Sequence, residues 1–160
     1  MEQSGQPARL TVRYAETDQM GVAYYANYLV WMEVGRVELL KQLGLRYREL
    51  EREGYLLAVA EAHCRYVQPA RYDEEVEVET RVSRATTRLV QFEYQIRRAG
   101  DGAILATGYT KHVICDRELR PKRLEAKYAR VLIGAALPAE GTRPRQAGNL
   151  AEVSIHGEEG

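Results

Sequence analysis

The first clear pattern is an alternation: Leu10, Val12 and Tyr14 are separated by Thr11 and Arg13. A period of two describes a short strand with one face buried. Glu16 to Gly21 breaks it with a polar turn, in which Gly21 supplies backbone free of the β-carbon restriction. A helical period then takes over, starting between Tyr24 and Asn27. Tyr28, Met32, Gly35, Leu39 and Leu43 recur every three or four residues and form one apolar stripe. Leu29, Trp31 and Val34 widen that stripe, so the first half of the helix is expected to be buried almost all round. Arg36, Glu38, Lys41 and Gln42 make the second half amphipathic, and Gly44 is a natural left-handed end.

After a polar stretch from Tyr47 to Gly54, an extended segment runs from Tyr55 to Val67 and is interrupted at Pro69. Glu75 to Val82 alternates without a fault, which sends Val76, Val78, Thr80 and Val82 inward and the charges outward. Val90, Phe92, Tyr94 and Ile96 give its antiparallel partner. The Asp101-Gly102 pair marks a hairpin, and Ile104 to Cys115 is the last strand. Gly108 within that strand marks a bulge or close packing against the helix. Leu124 to Ile133 reads as a short terminal helix. From Ala135 onward, Pro and Gly recur among polar residues without a period, as expected of a poorly ordered tail over residues 135–160. The elements of residues 1–134 form one α+β domain, an antiparallel five-stranded sheet wrapped around a long central helix. Long sheet edges need protection, and a homodimer joined edge to edge supplies it.

The composition adds bounds. The chain has 160 residues, 45% hydrophobic and 29% charged, with zero formal net charge. That is ordinary globular composition for one domain. It offers no electrostatic reason to expect nucleic acid or an anionic membrane. Met1 to Pro7 lacks the features of a secretion signal. No apolar run approaches the ~18 residues of a spanning helix, so no membrane insertion is expected. Cys64 and Cys115 lie far apart without metal-ligand spacing, so no metal site is expected and the cysteines fit a reduced cytoplasmic setting.

The stretch Tyr14-x-x-x-Asp18-x-x-Gly21-Val22-x-Tyr24-Tyr25-x-Asn27-Tyr28, with Glu33 and Arg36 beyond it, resembles the hotdog-fold acyl-CoA thioesterases of the 4-hydroxybenzoyl-CoA thioesterase superfamily. Two later pieces agree: Tyr66 to Glu74, and Val113 to Asp116 followed by Pro121 to Leu124. The resemblance covers about residues 8–134. It implies a hotdog fold, dimers with a shared active site and often a homotetramer. It implies hydrolysis of acyl-CoA, with coenzyme A as part of the substrate and no other cofactor. Asp18 falls on the catalytic carboxylate and the backbone N–H of Tyr25 on the oxyanion hole. Gly21, Val22, Asn27 and Tyr28 belong to the same substrate-binding stretch. Arg88, with Arg84 nearby, falls where relatives direct a basic residue at the CoA phosphates. Many bacterial members have His where this chain has Tyr25, and hydroxybenzoyl-type enzymes have Tyr, which favours an aroyl-CoA.

Beside the resemblance stand plainer readings. On spacing alone Asp18 is a turn or capping carboxylate. Glu16 reads as solvent-exposed, and Arg84 and Arg88 as solvated turn charges. Glu33 is expected to pair with Arg36 at i+3, although a second branch of hotdog thioesterases uses a helix carboxylate. His63 and His112 read as partly buried histidines with one hydrogen bond each. No G-x-S-x-G elbow, P-loop or dinucleotide fingerprint is present. A hotdog dehydratase or hydratase, and a non-catalytic acyl-CoA-binding module, are the competing functions. The former usually requires a His near the helix, and this helix region has none.

Overall fold

The computed structural model describes residues 5–136. In chain order it contains β1 (Ala8–Thr11), a 3-10 turn (Tyr14–Glu16), α1 (Asn27–Gln42), α2 (Tyr47–Arg52) and β2 (Leu56–Tyr66). Next come β3 (Glu75–Ala85), β4 (Leu89–Arg98), β5 (Ile104–Cys115) and α3 (Ala126–Ala136). The strands form one antiparallel sheet in the order β1-β3-β4-β5-β2. The long helix and five strands are present, and this is the hotdog architecture, but Tyr14, read as part of the first strand, lies in the 3-10 turn and is exposed. The terminal helix continues to Ala136, and residues 137–160 of the predicted tail lie outside the described residues.

Alternation decides what the sheet buries. Val76, Val78 and Val82 on β3, with Val90, Phe92, Tyr94 and Ile96 on β4, are all buried and face α1. Helix α1 contributes Tyr28, Trp31, Met32, Leu39 and Leu40, each large side chain worth about 1.5–3 kcal/mol when fully buried. Two glycines allow the close approach. A β-carbon at Gly35 would lie 2.6 Å from Val78 Cγ1 and against Thr80 Oγ1. One at Gly108 would lie 2.6 Å from Met32 Cε and against the His63 carbonyl, so Gly108 serves helix packing. Gly44, at φ 78°, ends α1, and the Leu45 N–H returns to the Leu40 carbonyl at 2.8 Å.

Two expectations need correction. Leu29, Val30 and Val34 are 40%, 49% and 42% exposed, so the first half of α1 keeps one apolar face open. Apolarity led to the expectation of cover on this face, and none of the described residues provides it. His112 is fully buried rather than partly so, with Nε2 2.8 Å from Thr110 Oγ1 and Nδ1 3.4 Å from the Leu57 carbonyl. His63 is exposed and stacks on Tyr109. The two sheet edges differ: β1 has four residues, whereas β2 has eleven and is exposed along most of its length.

Candidate active site

The turn before α1 is organised by Glu16, which is 5% exposed and not the solvated carboxylate its setting suggests. Its Oε2 accepts the Trp31 indole N–H at 2.9 Å, and Oε1 accepts the Arg13 backbone N–H at 2.9 Å and Arg13 Nε at 3.2 Å. Burial pushes its pKa upward, but these donors and the Arg13 charge outweigh that and hold it below the ordinary value. The Glu16 carbonyl accepts the Tyr24 N–H at 2.7 Å and Asn27 Nδ2 at 2.9 Å.

Residues 17–23 therefore form a closed loop, with a bridge between Thr17 and Ala23 across its base. Asp18 sits at its turn. The Asp18 N–H donates to the Val22 carbonyl at 2.9 Å, and the Gly21 N–H to the Asp18 carbonyl at 3.0 Å. Gly21, at φ 76°, occupies the left-handed region that a side chain would disfavour. Asp18 Oδ1 accepts the Met20 N–H at 2.8 Å, whereas Oδ2 accepts no hydrogen bond from the described residues. The loop is backed by residues 69–71: the Ala23 N–H reaches the Ala70 carbonyl at 2.7 Å, and Val22 bridges Arg71.

The start of α1 follows directly. Its first turn is tight, with Asn27, Tyr28 and Leu29 N–H groups donating three residues back, to Tyr24, Tyr25 and Ala26. The Tyr25 and Ala26 N–H groups donate to no acceptor among the described residues. Such orphan donors sit at the positive end of the helix dipole. The Tyr25 carbonyl also accepts Tyr66 Oη at 2.9 Å, which ties the helix start to the end of β2. Tyr24, Tyr25 and Tyr66 are exposed around these donors, and the Tyr25 and Tyr66 rings meet edge to face at 6.4 Å. Burial, together with Cys64, pushes the Tyr66 phenol up to about 12.

The remaining candidates divide. Asn27 is spent on the Glu16 carbonyl, and Tyr28 is buried, its hydroxyl accepting the Ala70 N–H at 3.2 Å. Both help hold the loop, Asn27 half-buried and Tyr28 buried. Glu33 and Arg36 do not pair with each other; among the described residues Lys41 and Glu38 of α1 pair at 3.7 Å. Arg88 lines a cavity of about 240 Å³ together with Lys122 and Arg123. Arg88 and Arg123 have no ion-pair partner among the described residues, and Lys122 Nζ lies 4.2 Å from the centre of the Tyr55 ring. Arg84 is exposed on β3 and does not line this cavity. A larger cavity, about 500 Å³, opens between His63, Arg81, Glu93 and Tyr109 and contains none of the candidate residues.

The burial of Glu16 had no sequence signal, because its partner Trp31 lies fifteen residues away. Lys122 and Arg123 were visible as basic residues, but not as neighbours of Arg88. Among the described residues no cluster of His, Cys, Asp and Glu could hold a metal ion. No described helix is long and apolar enough to cross a membrane.

Comparison with known proteins agrees with this architecture. Residues 12–140 match the model of the thioesterase-like superfamily. A Bacillus subtilis protein named as an acyl-CoA thioesterase, YneP, is 43% identical over 110 residues, covering 68% of this chain and 78% of the relative. The crystal structure of TT1821 from Thermus thermophilus superposes with a TM-score of 0.74 at 38% identity, covering 79% of this chain and 96% of that one. A DHNA-CoA thioesterase from Staphylococcus aureus gives 0.71 at 31% identity, with coverage of 74% and 79%. The chain belongs to the thioesterase-like superfamily and is a hotdog-fold thioesterase.

Proposed function

We propose that the protein hydrolyses acyl-CoA thioesters, including aroyl-CoA, to the free acid and CoA, with Asp18 and the start of α1 as its reaction centre. The observation that carries this reading is the pair of unspent N–H groups at Tyr25 and Ala26, beside a loop whose carboxylate keeps Oδ2 free. Thioester hydrolysis develops negative charge on the carbonyl oxygen. Oriented N–H donors at a helix start stabilise that charge, and removing one such donor in other enzymes costs roughly 2.7–4 kcal/mol. Asp18 acts on the carbonyl carbon by one of two routes. As general base it takes a proton from water, the hydroxyl adds to the carbonyl carbon, and the thiolate of CoA leaves. As nucleophile it forms a mixed anhydride with release of the thiolate, and water then cleaves the anhydride. The relatives named as acyl-CoA and DHNA-CoA thioesterases support a CoA thioester as substrate.

The cavity formed by Arg88, Lys122 and Arg123 suits the phosphates of CoA, since guanidinium groups match phosphate geometry. Within one chain it lies at the wrong end. Asp18 is held against residues 70–71, just before β3, whereas Arg88 follows the end of β3, and eleven residues of strand span about 35 Å. A second copy resolves this. If β2 pairs antiparallel with its own copy, the partner's Leu56 end lies beside the Tyr66 end of this chain. Leu56 pairs with Cys115 and Val113 with Leu89, so the partner's basic cavity comes to the Asp18 end. The same pairing covers the exposed β2 edge. The acting unit is therefore a homodimer with two composite sites.

The test is thiol release across short-chain, long-chain and aromatic acyl-CoAs, with Asp18→Asn and Asp18→Ala beside the wild type. Loss of activity by at least about 100-fold in both variants, with unchanged circular dichroism, is expected. Full activity in folded variants removes Asp18 from the reaction. Binding of every thioester without turnover by the wild type replaces hydrolysis with a binding module.

A further inference from the structure

We infer that Glu16 is a positioning residue for the reaction: its buried carboxylate clasps the Asp18 loop to the helix whose first N–H groups face the thioester. The inference rests on the hydrolase reading above.

Five hydrogen bonds converge on this one residue. Its carboxylate takes Trp31 Nε1, the Arg13 N–H and Arg13 Nε; its carbonyl takes the Tyr24 N–H and Asn27 Nδ2. Asn27 and Trp31 are four residues apart, on one face of α1, so Glu16 grips two successive turns of the helix. Glu16 also begins the segment that closes at the Thr17–Ala23 bridge. The direct hydrogen bonds from the base of the loop to α1, at Asn27 and Trp31, are made by Glu16, and an indirect route runs from Ala23 through Ala70 to the Tyr28 hydroxyl. An apolar residue would fill the same space, but only a carboxylate offers acceptors to both the Arg13 N–H and the indole. In hydrolysis the distance between Asp18 Oδ2 and the Tyr25 and Ala26 N–H groups must match one carbonyl group. Misplacement by an ångström in such an arrangement can cost about 100-fold.

Glu16→Gln keeps the shape but turns one acceptor into a donor that faces another donor. Trp31→Phe removes the indole partner from the other side. Each is expected to lower kcat per folded enzyme by roughly 10- to 100-fold, with KM changed by no more than about threefold. The double variant is expected to fall no further than the worse single one, because both cut the same link. The chain has one tryptophan, so its single indole N–H proton resonance reports the bond and is expected to move upfield in Glu16→Gln. Amide exchange of residues 17–26 is expected to quicken at least about tenfold in that variant, while strand β4 is unchanged. A merely structural role lowers stability across the fold and leaves kcat of the folded fraction intact. Unchanged kcat in Glu16→Gln, or losses that multiply in the double variant, overturn the inference. If the wild type cleaves no thioester, the hydrolase reading falls, and amide exchange decides the clasp: an unchanged rate over residues 17–26 overturns it.

Discussion

Replacing His112 with Gln is expected to remove most of the protein's stability change between pH 7.5 and pH 4.5 that is not due to carboxylates. The imidazole is fully buried beneath α1, bonded to Thr110 Oγ1 at 2.8 Å, which in turn lies 2.6 Å from the Tyr94 hydroxyl. Burial first, and the nearby Arg36 cation second, push its pKa down from 6.5 to about 4. A base whose pKa is lower in the fold is protonated more readily in the unfolded chain. Between pH 6.5 and about 4 the unfolded state therefore binds the extra proton, and stability falls as pH falls. At 1.36 kcal/mol per pH unit that gap is worth about 3.4 kcal/mol in all. About 2.5 kcal/mol of it is lost by pH 4.5 and almost none at pH 7.5. For a chain of this size that corresponds to a melting temperature lower by roughly 5–10 °C. The assay is urea or thermal unfolding of wild type and His112→Gln at both pH values. The variant is less stable at pH 7.5, and the difference between the two proteins narrows by about 2.5 kcal/mol at pH 4.5. Equal losses in both proteins refute the reasoning, since the carboxylates they share then account for the whole change.

Gly35→Ala is expected to cost about 1–3 kcal/mol, seen as a lower melting temperature, because its β-carbon meets Val78 Cγ1 at 2.6 Å; adding Val78→Ala recovers part of the loss. Mixing Asp18→Asn with Arg88→Glu subunits is expected to restore thiol release that neither variant has alone. In the mixed dimer one site takes Asp18 and the partner's Arg88 both intact, so no recovery after subunit exchange argues against composite sites.

What could be read from the sequence was what depends on neighbours along the chain. Strand β3 showed its buried face because Val76, Val78 and Val82 alternate with charges. Gly44 and Gly102 stand at positive φ, where a helix end and a hairpin turn place them. Asp18 was singled out by resemblance; its own spacing could not distinguish it from a turn carboxylate, and the structure does give it a turn bond to the Met20 N–H. Glu16 was misread because nothing within a few residues of it reveals an indole arriving from α1. The resemblance drew attention to Asp18 and carried no information about Glu16, the carboxylate that the fold buries two residues earlier.

The exposed face of α1 shows a different limit. Leu29, Val30 and Val34 are apolar, and the sequence led to an expectation of cover around them that the described residues do not meet. It could not say which molecule supplies it. The same gap appears in the basic cavity, where Arg88, Lys122 and Arg123 gather about one sheet length from Asp18. Taken singly, the open helix face, the β2 edge without a partner strand among the described residues and the distant cations are three unrelated features. In the proposed dimer, a two-fold axis beside β2 would address the last two, because antiparallel pairing of that edge brings opposite ends of two sheets together. The Tyr66 hydroxyl on the Tyr25 carbonyl makes this edge part of the helix start. Association at β2 would therefore bear directly on the N–H groups proposed to receive the oxyanion, and assembly and catalysis would share one hydrogen bond.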